Sequence, residues 1–221
     1  MRWAPAVTLA ALLAGQTLTG QGLKTPADWK WIPDTPAKVI EAGNAGPDAM
    51  FFVAMPPGWH ITQGPGALLY QPDYQARGSF ILETEIFLFP NSSIEEYGVF
   101  CGGRSLDPAP ANRTYLAFVA RRDGQAAVLE RTANGFLPVA NWMTNSGVAP
   151  QSGAAAVKNV LKVDVNPAEV VFSANGTTIS RLPRARLSTD GQFGLRIGKG
   201  VNVHVSRFDV THRLAPGKGG Q

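Results

Sequence analysis

A chain of 221 residues, 44% hydrophobic and 16% charged, has the profile of a soluble globular protein with one substantial core. Its formal charge of +4 is ordinary, and its basic residues, among them Arg121-Arg122, Arg181, Arg184, Arg186 and Arg196, are scattered without interleaved aromatics, which argues against a nucleic-acid partner. A single cysteine, Cys101, excludes an internal disulfide, so the core alone must hold the fold; inside Tyr97-Gly-Val-Phe-Cys101 it reads as a small buried hydrophobe.

Arg2 followed by the apolar run Ala4 to Ala14 has the form of an export signal covering residues 1–21, too short to span a bilayer. Its removal would take Arg2 away and lower the formal charge from +4 to +3. No comparable run follows, so the expected product is secreted or periplasmic, without a membrane span. Residues 22–56 are rich in Pro, Asp and Lys around Trp29 and Trp31 and show no sustained period; they read as an irregular N-terminal arm anchored by its tryptophans, ending in a strand from Met50 to Met55.

Residues 57–214 carry short apolar runs punctuated by Gly, Pro and Asn, the pattern of many strands and turns. Trp59 to Thr62 and Leu68 to Tyr70 suggest a hairpin about Gln63-Gly-Pro-Gly66. The longest strand follows, with Phe80, Leu82, Thr84, Ile86 and Leu88 on one face and Ile81, Glu83, Glu85 and Phe87 on the other. Thr114 to Arg121 turns at Asp123-Gly124 into Ala126 to Arg131. Phe136 to Ala154, with Trp142 between Asn and Pro breakers, reads as a partly extended loop.

Val157 to Leu182 spells a three-stranded meander. Leu161, Val163 and Val165 alternate with Lys162 and Asp164, Asn166-Pro167 breaks the strand, and Asn175-Gly176 supplies the two positive-φ residues of a type I′ turn. That turn should set Ser173 opposite Thr178 and Phe172 opposite Ile179. Phe193, Leu195 and Ile197 then turn at Gly198-Lys-Gly200 into Val201, Val203 and Val205, which would place Arg196 opposite Asn202 on the outward face, with His204 nearby. Phe208 and Val210 keep the core side only if a bulge intervenes near Ser206-Arg207. Residues 215–221 read as a disordered tail. The fold class that follows is all-β, an antiparallel two-sheet β-sandwich of jelly-roll type.

The succession GWHITQGPGALLYQP, GSFILETEIF, YGVFCGG, TYLAFVARRDG, NVLKVDVNPAEVVFSANGTTI and DGQFGLRIGKGVNVHVSRFDV resembles the concanavalin A-like lectin/glucanase jelly roll. Within it, the sequence looks most like the secreted bacterial 3-keto-disaccharide hydrolase-like family, over about Pro57 to Thr211. The resemblance implies two curved sheets, often with a carbohydrate-facing concave surface, and a closing strand beside the long one. The chain departs from the pattern at Asn91-Ser-Ser-Ile94, at Val160 where a Trp is common, and at Leu88, which takes the third acidic place of the related retaining glucanases.

Glu83 and Glu85 are the candidates for catalysis, since two residues along a strand put two carboxylates on one face roughly 7 Å apart, within the range for paired acids in sugar hydrolysis. Two acids on a solvated sheet face give the same pattern. His204, Arg196 and Asn202 would join them to supply acid/base and oxyanion-type assistance. Trp59, Tyr115, Trp142 and Tyr70 are candidate stacking platforms for a pyranose, or core residues, with His60 and Arg121 as polar neighbours. The histidines lack zinc-site spacing, and no metal or cofactor is called for. The function expected is carbohydrate binding by a lectin-like domain. The alternatives are a glycoside hydrolase or lyase acting on (3-keto-)disaccharides, and a structural cell-envelope interaction module.

Overall fold

A computed structural model describes residues 23–91, 93–107 and 112–213. The export signal at residues 1–21 and the tail at 215–221 lie outside them. The described chain folds as two stacked sheets. The seven-stranded sheet has the order β1 (Lys30–Pro33), β5 (Ala67–Ala76), β14 (Gly191–Ile197), β7 (Tyr97–Arg104), β8 (Thr114–Ala120), β9 (Gln125–Thr132) and β10 (Gly135–Thr144). The eight-stranded sheet runs β13 (Thr177–Pro183), β12 (Glu169–Ala174), β11 (Val157–Val165), β6 (Phe80–Leu88), β15 (Asn202–His212), β4 (Trp59–Gln63), β3 (Ala49–Ala54) and β2 (Lys38–Ile40). All pairings are antiparallel except β2 with β3. The arm thus adds two short strands, one at an edge of each sheet.

The alternation in β6 appears as read: Phe80, Leu82, Thr84, Ile86 and Leu88 are buried, and the residues between them are half-exposed. Phe172 meets Phe118 across the layer, ring centroids 5.5 Å apart, while Trp29 from the arm packs against Phe52 and Trp59. Asn175 and Gly176 have φ of 47° and 81°, as a type I′ turn requires. Ser173 pairs with Thr178, but a register shift then pairs Phe172 with Ser180 instead of Ile179. The bulge at Ser206 is present, lying between Val205 and Arg207, and it returns Phe208 and Val210 to the core side.

Three local expectations are corrected. Trp59–Thr62 and Leu68–Tyr70 are not a hairpin, because β4 and β5 belong to different sheets and the intervening turn crosses the sandwich. The same holds for β14 and β15, so Arg196 pairs with Leu68 and Gly98, while Asn202 pairs with Thr62 in the opposite sheet. Both crossings preserve burial of the flanking apolar residues, which is why alternation alone mimics a hairpin. Finally, Gly135–Thr144 is a strand rather than a loop: β10 is an edge strand, where Pro138 and two register shifts are tolerated.

The seven-stranded sheet is apolar on both faces. Its outer face carries a second cluster of Leu68, Tyr70, Phe100, Leu106, Tyr115, Ala117, Val119 and Ala127, with Ile32, Leu129 and Trp142 packed on it.

Candidate functional site

Arg196 organises that outer face. β14 points it away from the core, yet it is only 5% exposed, and a buried guanidinium requires its donors to be matched. Its two terminal nitrogens donate to Asp34 Oδ1 and Oδ2 at 2.8 and 2.7 Å, and Nε donates to Glu96 Oε1 at 3.0 Å. Burial works against the charge, but the hydrogen bonds and charge of Asp34, with Tyr115 and Glu96 adding to them, more than offset it and hold the Arg196 pKa above the ordinary arginine range. Asp34 is positioned by its own N–H, which donates to the Gly66 carbonyl at 2.7 Å. A Cβ on Gly66 would strike Asp34 Oδ2, so any side chain there would push the Asp34 carboxylate from its place on Arg196.

Beside this anchor, the turn Pro33–Pro36 faces Arg113, Tyr115, Arg131 and Phe136 across a cleft of about 560 Å³, a size suited to a small ligand. Cross-strand register brings the far wall together: Tyr115 pairs with Arg131, and Arg131 with Phe136. The Tyr115 and Phe136 rings meet edge to face at 6.0 Å, and the guanidinium groups of Arg131 and Arg196 lie 5.3 and 5.7 Å from the centre of the Phe136 ring. Phe136 is 41% exposed. Burial pushes the Tyr115 phenol up to about 12, so it is a protonated donor at neutral pH. The cleft therefore joins an exposed aromatic ring to the donors of Arg113, Arg131 and Tyr115 and to the half-exposed carboxylate of Asp34. On the same face, Arg121 lies over the Trp142 ring at 3.7 Å.

The residues singled out in the sequence divide between opposite surfaces. Tyr115, Arg121, Trp142 and Arg196 share the outer face of the seven-stranded sheet. Glu83, Glu85, His60, His204 and Asn202 share the outer face of the eight-stranded one, and Trp59 turns inward beneath Trp29. The expected convergence of Glu85, Arg196 and His204 does not occur, because β14 and β15 part into different sheets.

Glu83 and Glu85 lie on the same side of β6, but each is engaged. Arg207 donates to Glu83 Oε1 at 2.6 Å, Ser206 Oγ donates to Glu85 Oε1 at 2.8 Å, and Lys158 lies 3.2 Å from Glu85 Oε2. The Ser206 hydrogen bond, with Lys158 and Arg207, holds Glu85 below the usual glutamate pKa, the reverse of what a general acid needs. The His204 ring donates from Nε2 to the Pro57 carbonyl at 2.8 Å and sits 6.2 Å from the His60 ring. Burial, and secondarily His204, lowers the His60 pKa. Among the described residues, no three His, Cys, Asp or Glu side chains are grouped to hold a metal ion, and no helix is long and apolar enough to cross a membrane.

Sequence reasoning missed Asp34, Glu96, Arg113, Arg131 and Phe136. Asp34 stands 162 residues from Arg196, in an arm without periodicity, and Phe136 lies in the stretch read as a loop. Arg131 had a usable signal, since the Asp123-Gly124 hairpin places it opposite Tyr115.

No protein-family model and no curated protein matches the sequence. Solved structures do match the fold. The carbohydrate-binding module CBM66 from Bacillus subtilis aligns with a TM-score of 0.57 at 10% identity, over 74% of this chain and 92% of that one. A Bacillus subtilis protein of unknown function with a galectin-like fold aligns at 0.57 and 12% identity, over 83% and 88%. A glycoside hydrolase family 16 endo-glucanase from Bacteroides ovatus, in complex with G4G3G-2F-DNP, aligns at 0.56 and 8% identity, over 88% and 97%. These likenesses show the fold, a two-sheet antiparallel jelly roll.

Proposed function

We propose that the protein is a lectin-like module that binds carbohydrate in the cleft between Pro33–Pro36 and Phe136, and that it acts outside the cytoplasm after removal of residues 1–21. The observation that carries this reading is the composition of the cleft: an exposed Phe136 ring beside Tyr115, Arg113, Arg131 and Asp34. A sugar presents an apolar CH face to an aromatic ring and hydroxyls to donors and acceptors around it. Two proteins of similar fold are carbohydrate proteins by name, the binding module CBM66 and the family 16 endo-glucanase.

Binding is favoured over hydrolysis by how the acids are used. The carboxylates at the cleft, Asp34 and Glu96, are taken up by Arg196, and Glu83 and Glu85 on the far face are engaged by Arg207, Lys158 and Ser206. Glycoside hydrolysis by a pair of acids would need carboxylates free to exchange protons with a substrate. A glycan array probed with the wild type and Phe136→Ala tests the reading. Binding by the wild type should fall about 10- to 100-fold on loss of the aromatic contact, with thermal stability little changed because the ring is exposed. Binding that survives Phe136→Ala and is instead lost in Glu83→Gln would move the site to the other sheet.

A further inference from the structure

Resting on the reading of the cleft as a sugar site, we infer that its ligand is an acidic glycan, one whose sugar carries a carboxylate or a sulfate ester, with Arg113 and Arg131 as the groups that select it. Arg196 is matched by both Asp34 and Glu96, and both Asp34 oxygens already accept from it. Arg113 and Arg131 line the same cleft, yet among the described residues neither forms an ion pair nor donates a side-chain hydrogen bond. The Arg113 Nε is buried with no hydrogen-bond partner among the described residues. Against the effect of burial, Arg196 and then Arg131 and Arg113 draw the Tyr115 pKa down.

Hydrogen-bond chemistry then separates neutral from acidic sugars. A guanidinium offers five N–H donors and no acceptor. A sugar hydroxyl both donates and accepts, so a wall made of two guanidinium groups satisfies only half of its needs. A carboxylate or sulfate only accepts, matches the planar fork of an arginine in paired hydrogen bonds, and gains from charge in a partly enclosed cleft. Asp34 lines the same cleft, and each of its oxygens keeps a lone pair beyond the Arg196 bonds, so a hydroxyl of the same sugar can donate to it and help orient the ring.

The test compares matched probes by titration calorimetry with the full chain: trigalacturonate against its carboxyl-reduced neutral trimer, and a sulfated disaccharide against its desulfated form. At least one acidic member should bind about 10- to 100-fold more tightly than its neutral partner, as charge-assisted hydrogen bonds imply, and the preference should shrink as salt rises. Which pair responds tells carboxylate from sulfate. In Arg113→Gln and Arg131→Gln, the acidic-to-neutral ratio should fall toward one, and Arg131→Lys should restore part of it. Equal affinity within both pairs, or a preference that persists in the double Gln variant, overturns the inference while leaving the sugar site standing. Absence of binding to any glycan overturns both.

Discussion

At the scale of single residues, the site depends on a vacancy. The Asp34 carboxylate occupies the space a Cβ on Gly66 would fill, and that carboxylate takes two of the donors of a buried guanidinium. Gly66→Ala should therefore displace Asp34 and leave Arg196 partly unmatched, at a cost of about 1–3 kcal/mol, measured by urea denaturation. Unchanged stability would show that Arg196 does not rely on Asp34. A second residue-scale effect concerns pH. Burial, with His204, lowers the His60 pKa below 6.5, so between its folded value and 6.5 the unfolded chain binds more protons than the folded one, and stability falls as pH drops through that window. Above it, His60 is neutral in both states and adds no slope. Wild type should lose more stability than His60→Gln between pH 7.5 and 5.5; an identical loss would place the titration elsewhere.

At the scale of elements, the Asn175-Gly176 turn does more than reverse the chain. Asn175 Nδ2 donates to Asn159 Oδ1 at 2.8 Å and to the Gly147 carbonyl at 2.9 Å, and its Oδ1 accepts from the Val160 N–H at 2.8 Å. Asn159, fully buried, in turn donates to the Tyr97 hydroxyl at 2.9 Å, which joins the two sheets. Asn175→Gly keeps the left-handed backbone but removes the amide, and should cost about 1–3 kcal/mol in chemical denaturation; a neutral result would reduce the residue to its backbone role. This turn was legible because its chemistry is local. So was the face of β6 bearing Glu83 and Glu85, since one side alone is buried and alternation reports it. In the seven-stranded sheet Tyr115 to Ala120 are all buried, so periodicity carries no face information. Pro138 and the register shifts of β10 hide a strand that only an edge position permits.

At the scale of the whole molecule, two sheet crossings decide where function can sit. The links from β4 to β5 and from β14 to β15 pass between sheets, and so they send Arg196 and His204 to opposite surfaces although eight positions separate them in the chain. Local pattern cannot report such a crossing, because the residues on either side of it, Ile197, Val201 and Val203, are buried in both arrangements. The fold class was readable from the density of short strands and turns. The cleft was not, because its walls come from the arm and from β8 to β10, segments that only tertiary structure brings together. The most direct test of the account is chemical-shift mapping of the isotope-labelled protein, with lactose, cellotetraose and trigalacturonate added in turn. The account predicts shifts concentrated at residues 33–36, 113–115 and 131–136; shifts concentrated at Glu83, Glu85, His60 and His204 would contradict it.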